Sequence, residues 1–200
     1  MAGAESVLAI WGRLAPLPGG RWLFSRLICL KAPYFSSVSP RFVALRPGYC
    51  EVAIRKRRAV TNHLGTVHAI AMCNMAELAA GIMSEVTVPP SHRWIPKGMT
   101  VEYLKKAGSD LRAVAELPVI PEFGLAAELP VPVSVTDSSG EEVCRAVIRM
   151  WVSPKSRSGT FSAAALSKPH EDEHPGTASP PPVPRQESLA GGRGESPRGR

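Results

Sequence analysis

The stretch NHLGTVHAIAMCNMAELAAGIMS, residues 62–84, decides how the chain is read. Its start is polar and turn-like, whereas residues 67–84 are rich in Ala and Met and free of Pro, which predicts the one long helix of the domain. That helix is apolar almost all round. It therefore needs cover on most sides and belongs at the centre of a fold. Pro89-Pro90 ends it. The apolar run 67–83 is expected to be too short for a bilayer, and Glu77 in its middle would be costly in lipid.

Working outward, residues 42–45, the turn Arg46-Pro47-Gly48-Tyr49 and residues 50–54 read as a β-hairpin. After the helix, strands are expected at 99–106, 111–116, 126–136 and 142–152, the last alternating apolar residues with Arg145 and Arg149. Two strands, a buried helix and four further strands joined largely by hairpin-like turns imply an α+β fold: a curved antiparallel sheet wrapped around one long central helix. Pro130 and Pro132 predict that part of one strand lies at an edge or bulge. Upstream, Pro18-Gly19-Gly20 punctuates two short helical stretches. The second, residues 21–30, spaces Leu23, Leu27 and Leu30 along one face and reads as a lid helix.

Composition sets the limits. With 44% hydrophobic and 20% charged residues, 200 residues suit one globular domain, but 20 prolines and 17 glycines are too many for a uniform fold. The excess gathers in residues 153–200, where aromatics vanish after Phe161 and no apolar periodicity survives. We expect residues 1–17 to be an extension, 18–152 the domain and 153–200 a disordered tail. The formal charge of +7 is spread along the chain with acids among the bases, which fits a small anionic ligand at least as well as nucleic acid, for which no motif is present. Cys29, Cys50, Cys73 and Cys144 encode neither a zinc site nor a disulfide framework, so a reducing compartment, the cytoplasm, is expected. The arginine-rich, acid-poor N-terminus leaves a mitochondrial presequence as the lesser alternative.

Asn62, Gly65, His68 and Glu77 carry a resemblance. Their spacing resembles the signature of hotdog-fold acyl-CoA thioesterases related to the phenylacetic-acid-pathway enzyme, where an Asn and a Gly-x-x-His precede the central helix and an acid follows nine residues after the His. The context from Pro18-Gly19-Gly20 through Ala32-Pro33-Tyr34-Phe35 is similar to a hotdog branch of unassigned function. The resemblance implies a hotdog fold, a thioester substrate such as acyl-CoA, and a homodimer or homotetramer whose site forms between two subunits. The family usually has Gly where Ala69 stands and Asp where Glu77 stands.

Physical chemistry offers each position a role. The N–H of Ala69 opens the helix without an intrahelical partner and can polarise a thioester carbonyl. Helical spacing puts Ile70, Asn74, Glu77, Gly81 and Ser84 on one stripe, where a partly desolvated carboxylate would have a raised pKa and suit a general base or a nucleophile. Asn62 would hold the attacking water or orient the carboxylate, and His68, Gly65 and Asn74 would line the substrate. Against this stands a structural reading in which Asn74 and Ser84 satisfy Glu77, His68 only positions its neighbours, and Cys73 is small core. The competing function is a non-catalytic hotdog protein that binds acyl groups or acts as a scaffold. A dehydratase is the weakest alternative, because the His-x-x-x-Pro-Gly pattern of hotdog dehydratases is absent.

No metal or cofactor is expected. His170-Glu171-Asp172-Glu173-His174 matches H-E-x-x-H, but Pro169 and Pro175 deny it the helix that a zinc pair needs. Pro181-Pro182-Val183-Pro184-Arg185 can serve as a polyproline ligand. Residues 55–58, His92, Arg93 and Lys97 are candidate phosphate contacts.

Overall fold

The structure, a computed structural model, describes residues 4–155. The expected tail, its H-E-x-x-H match and its proline motif lie outside the described residues.

The centre of the fold is α3 (Ala69–Thr87), in which Met75, Ala76, Ala79, Ala80, Met83 and Ser84 have no solvent exposure. Six antiparallel strands cover it in the order β1-β2-β4-β5-β6-β3: β1 (Arg41–Arg46), β2 (Tyr49–Ile54), β3 (His92–Tyr103), β4 (Leu111–Glu116), β5 (Ala127–Asp137) and β6 (Glu142–Pro154). Inward-facing Val131, Val133 and Val135 alternate with exposed neighbours along β5, so the sheet is dry on one face. Each fully buried apolar side chain of this core stabilises the fold by about 1.5–3 kcal/mol.

The helix is longer than expected. It runs to Thr87, whose hydroxyl accepts a hydrogen bond from Gly48 N–H at 2.9 Å and donates to Met83 O, tying its last turn to the β1–β2 turn. Nineteen residues of this hydropathy are long and apolar enough to cross a membrane, so the expected shortfall in length is corrected. The helix is nevertheless a core element, with 56% of its most apolar window buried. β3 also starts seven residues earlier than expected, because a bulge between Pro96 and Gly98 takes up one extra residue, Lys97, and lets the ladder with β6 continue on both sides. Pro130 and Pro132 pair with β6 in the stretch of β5 that β4 does not reach, so the strand is locally an edge there.

Two helices precede the sheet, α1 (Ala4–Leu14) and α2 (Gly20–Lys31). Their corner is tight: a Cβ on Gly20 would run into the carbonyl oxygen of Leu14. Trp11 of α1, Phe24 of α2 and Phe42 of β1 stack edge-to-face with centroids 5.0 and 5.2 Å apart, which carries α1 into the same core as residues 18–152. This stack also orients α2 against expectation. Phe24 and Ile28 face inward, while Leu23, Leu27 and Leu30 point to solvent, so the leucine stripe is not the face that closes on the domain. A 3-10 segment, Pro33–Val38, follows α2 and packs on α3.

Candidate functional site

The turn before α3 is built by Asn62. Its Oδ1 accepts from Leu64 N–H at 3.0 Å and from Thr66 N–H and Oγ1 at 3.2 Å, its Nδ2 donates to Thr66 Oγ1 at 3.0 Å, and its carbonyl accepts from Gly65 N–H. Gly65 closes this loop at φ 72°, a conformation that suits glycine, with open space where a Cβ would stand. Asn62 and Gly65 thus shape the approach to the helix, and the amide oxygen of Asn62 is taken up within its own turn.

His68 caps α3. Its Nδ1 accepts from Ile70 N–H at 3.1 Å, so the ring proton sits on Nε2, and its carbonyl accepts from Ala71 and Met72. Of the first four helical N–H groups, only that of Ala69 finds no partner among the described residues. Ala69 is half-buried; its neighbours His68, Ile70 and Ala71, but not Ala69 itself, line a small cavity of about 190 Å³ together with Tyr34, Val60 and Asn74. Asn74 is 6% exposed. Its Nδ2 lies 3.4 Å from Ser37 Oγ, while its Oδ1 is buried without a hydrogen-bond partner. A buried amide oxygen of this kind costs about 1–3 kcal/mol unless something donates to it.

Glu77 faces a different space. It lines an apolar groove of about 340 Å³ walled by Ile28, Phe35, Leu78, Ile82, Trp94 and Pro96. Among the described residues the Glu77 carboxylate makes no hydrogen bond or ion pair, and neither Asn74 nor Ser84 reaches it. Ser84, which shares the stripe, is buried with its hydroxyl unpartnered. Two groove residues escaped the sequence reading. Glu85 accepts from Trp94 Nε1 at 3.0 Å, and Trp94 lies against Gly81, where an added Cβ would meet its ring at 3.4 Å. Glu85 was visible as a second acid eight residues after Glu77; Trp94 belongs to the part of β3 that was not expected to be strand.

The stripe therefore divides. Ile70 is 56% exposed, Asn74 opens on the small cavity, and Glu77 and Gly81 open on the groove. Cys73, beside the stripe, shares a 3.1 Å hydrogen bond with Tyr103 of β3, and this bond, with burial, pushes the Tyr103 phenol up to about 12. Of the candidate phosphate contacts, His92 has both ring nitrogens engaged, by Ser91 Oγ and Gly124 O, Arg93 bonds Ser153, and Lys97 lies near Glu128 and over the Trp151 ring. Arg55 and Arg57 line a third and larger cavity on the far side of residues 33–38, with Lys56 tied to Gly108 O.

The family described as a domain of unknown function, DUF4442, matches residues 20–152. A protein solved as a genomics target is 47% identical, with a TM-score of 0.65 over 76% of this chain and 99% of that one. A protein of unknown function from Pseudomonas aeruginosa, named a probable thioesterase, is 24% identical with a TM-score of 0.61 over 70% and 97% of the two chains. A thioesterase family protein from Silicibacter pomeroyi is 18% identical with a TM-score of 0.56 over 66% and 96%. The last two share the hotdog fold with this chain. No curated protein matches it.

Proposed function

The chain belongs to the DUF4442 family and folds as a hotdog protein, and from that premise we propose that it hydrolyses thioesters of the acyl-CoA type, with Glu77 as the catalytic carboxylate. The observation that carries this reading is the half-buried, unpartnered carboxylate of Glu77 opening on an apolar groove of about 340 Å³. Such a groove suits an acyl chain, and a carboxylate relieved of other partners suits proton abstraction. Solved proteins of the same fold that carry thioesterase names add support.

Two routes fit the chemistry. Glu77 takes a proton from water as the water attacks the thioester carbonyl, the oxyanion forms, and the C–S bond breaks to release the thiol. Alternatively Glu77 attacks the carbonyl itself, the thiolate leaves, and water hydrolyses the resulting mixed anhydride. Neither route needs a metal or cofactor. The N–H of Ala69 is the available oxyanion donor, but eight residues of helix separate it from Glu77, about 12 Å at 1.5 Å per residue. An oxyanion donor must lie within about 3 Å of the oxygen it stabilises. Glu77 opens on the groove while the start of the helix adjoins the small cavity, so the reading favours Glu77 of one protomer working with Ala69 of another. β3 supports such an assembly: it is a twelve-residue edge strand with β6 on one side and no strand on the other among the described residues.

The alternative, acyl binding without turnover, draws on Asn62, whose amide oxygen is occupied by three donors and is not free to hold a water. Thiol release from acyl-CoAs of graded chain length by the full chain, run beside Glu77→Gln, tests the choice. Turnover in the wild type that disappears in the folded variant supports the hydrolase; binding of acyl-CoA without thiol release supports the binder.

A further inference from the structure

A cavity of about 960 Å³, larger than the groove of Glu77, shares no lining residue with it. It lies between α2, the start of β1 and the adjoining ends of β2, β4 and β5. Arg26, Arg41, Arg55, Arg57 and Arg112 line it, and Trp22 stands at its rim, 62% exposed. Arg112 is paired with Glu51. The other four guanidiniums have no carboxylate within 4.0 Å among the described residues, although Arg57 bonds Ser37 O and Ser39 Oγ through one nitrogen.

The two acids of the cavity, Asp110 and Asp137, keep their negative charge but are engaged by local donors, and the five arginines of the lining outnumber them. Asp110 Oδ1 accepts from Lys56 N–H at 2.8 Å. Asp137 Oδ1 accepts from Ser139 N–H, Ser139 Oγ and Glu141 N–H, which fixes the β5–β6 turn. Four guanidiniums without a carboxylate partner among the described residues line one concavity, and an anion there gains from all of them. The guanidinium fork selects the planar, two-oxygen edge of a phosphate over a single negative point. Concavity favours a small ligand over the flat face of a protein or a duplex, and the volume falls in the range of small-molecule sites. At the rim, the guanidinium of Arg26 lies 5.8 Å from the Trp22 ring centroid, leaving an exposed indole face on which a base can stack.

We propose that this cavity binds a nucleotide carrying at least two phosphates, with the phosphates among Arg26, Arg41, Arg55 and Arg57 and the base on Trp22. The site stands whether or not Glu77 cleaves a thioester. The same chemistry is presented by a free nucleoside diphosphate and by the nucleotide end of coenzyme A.

Calorimetric titration of the full chain with ADP, adenosine, pyrophosphate and coenzyme A at low salt tests it. ADP is expected to bind and adenosine not to. Arg41→Ala with Arg55→Ala is expected to weaken ADP and pyrophosphate by at least about tenfold. Arg26→Gln serves as a second, single variant should the double one unfold, and Trp22→Leu is expected to weaken ADP while sparing pyrophosphate. Coenzyme A that displaces ADP identifies its nucleotide end as the occupant; coenzyme A that leaves ADP in place identifies a free nucleotide. Absence of ADP binding, affinity unchanged in the folded arginine variants, or tighter binding of a DNA duplex that ignores Trp22→Leu overturns the proposal. Loss of thiol release in Glu77→Gln leaves every one of these readouts unaffected.

Discussion

The groove beside α3 and the cavity beside α2 both abut residues 33–38, yet Ile28, Phe35 and Trp94 wall the first and guanidiniums line the second. In the groove, the Glu77 carboxylate, unpartnered among the described residues, sits against mostly apolar walls with Lys31 and Glu85 in the same lining, and under the proposed function it is the reactive group. In the cavity, many charges meet open solvent, which suits the recognition of an anion inferred for it. The difference teaches that one small domain can carry an apolar groove with a single unpaired acid and a separate arginine-lined cavity without a shared lining residue. It also explains why the overall positive charge says nothing about the chemistry at α3.

The comparison breaks most decisively at Glu77. Glu77→Gln keeps the size and removes the charge, and we expect thiol release from acyl-CoA to fall by about 10²–10⁴-fold with folding intact by circular dichroism. An unchanged rate would make Glu77 a spectator. Next in size is the wall of the groove. Trp94→Ala removes a partly buried indole and its bond to Glu85, with an expected loss of about 2–3 kcal/mol in urea unfolding, below the 3–5 kcal/mol of a fully buried aromatic. No loss would mean that the groove collapses freely and is not preformed. At the start of α3, His68→Ala removes the cap on Ile70 N–H and is expected to cost about 1 kcal/mol. A much larger effect on turnover than on stability would give His68 a part in catalysis. The smallest effect belongs to the cavity. Hydrogen bonds from the Ser139 hydroxyl, then from the Glu141 and Ser139 N–H groups, hold the Asp137 carboxyl below its ordinary value. Because its folded pKa is depressed, its contribution is present above the ordinary carboxyl value and is lost as the pH falls through the depressed one. Asp137→Asn should therefore lower the neutral plateau of the melting temperature slightly and flatten its acid limb, so that variant and wild type converge at low pH.

The central helix and the strand succession were legible because their signals are local: a Pro-free apolar run ended by Pro89-Pro90, and alternation in β5 and β6. The span of β4 was legible to the residue. What was not legible depends on distant partners. α2 carries two apolar stripes. Leu23, Leu27 and Leu30 form the more regular one, but Trp11 and Phe42, 13 and 18 positions from Phe24, turn the other stripe inward. Thr87 continues α3 because Gly48 donates to it from the far hairpin, and His92 opens β3 because β6 pairs with it across the bulge. The site was half legible. Spacing put Asn62, Gly65, His68, Ala69, Asn74 and Glu77 near one helix, but periodicity could not reveal that Asn62 serves its own turn, or that Asn74 and Glu77 line different cavities. The arginine cavity draws on residues from 26 to 112, so only its Arg55 and Arg57 stood out in the chain.

The pairing of β3 with β6 carries a consequence for synthesis. α3 is complete at Thr87, but β4, β5 and β6, which cover much of it, follow only by Pro154. At about 5–20 residues per second, a ribosome exposes the most apolar segment of the chain for roughly 3–13 s before its cover exists. During that interval the nascent chain is a natural client for a holdase, and translational slowing between α3 and β6 should lower soluble yield without changing the finished protein.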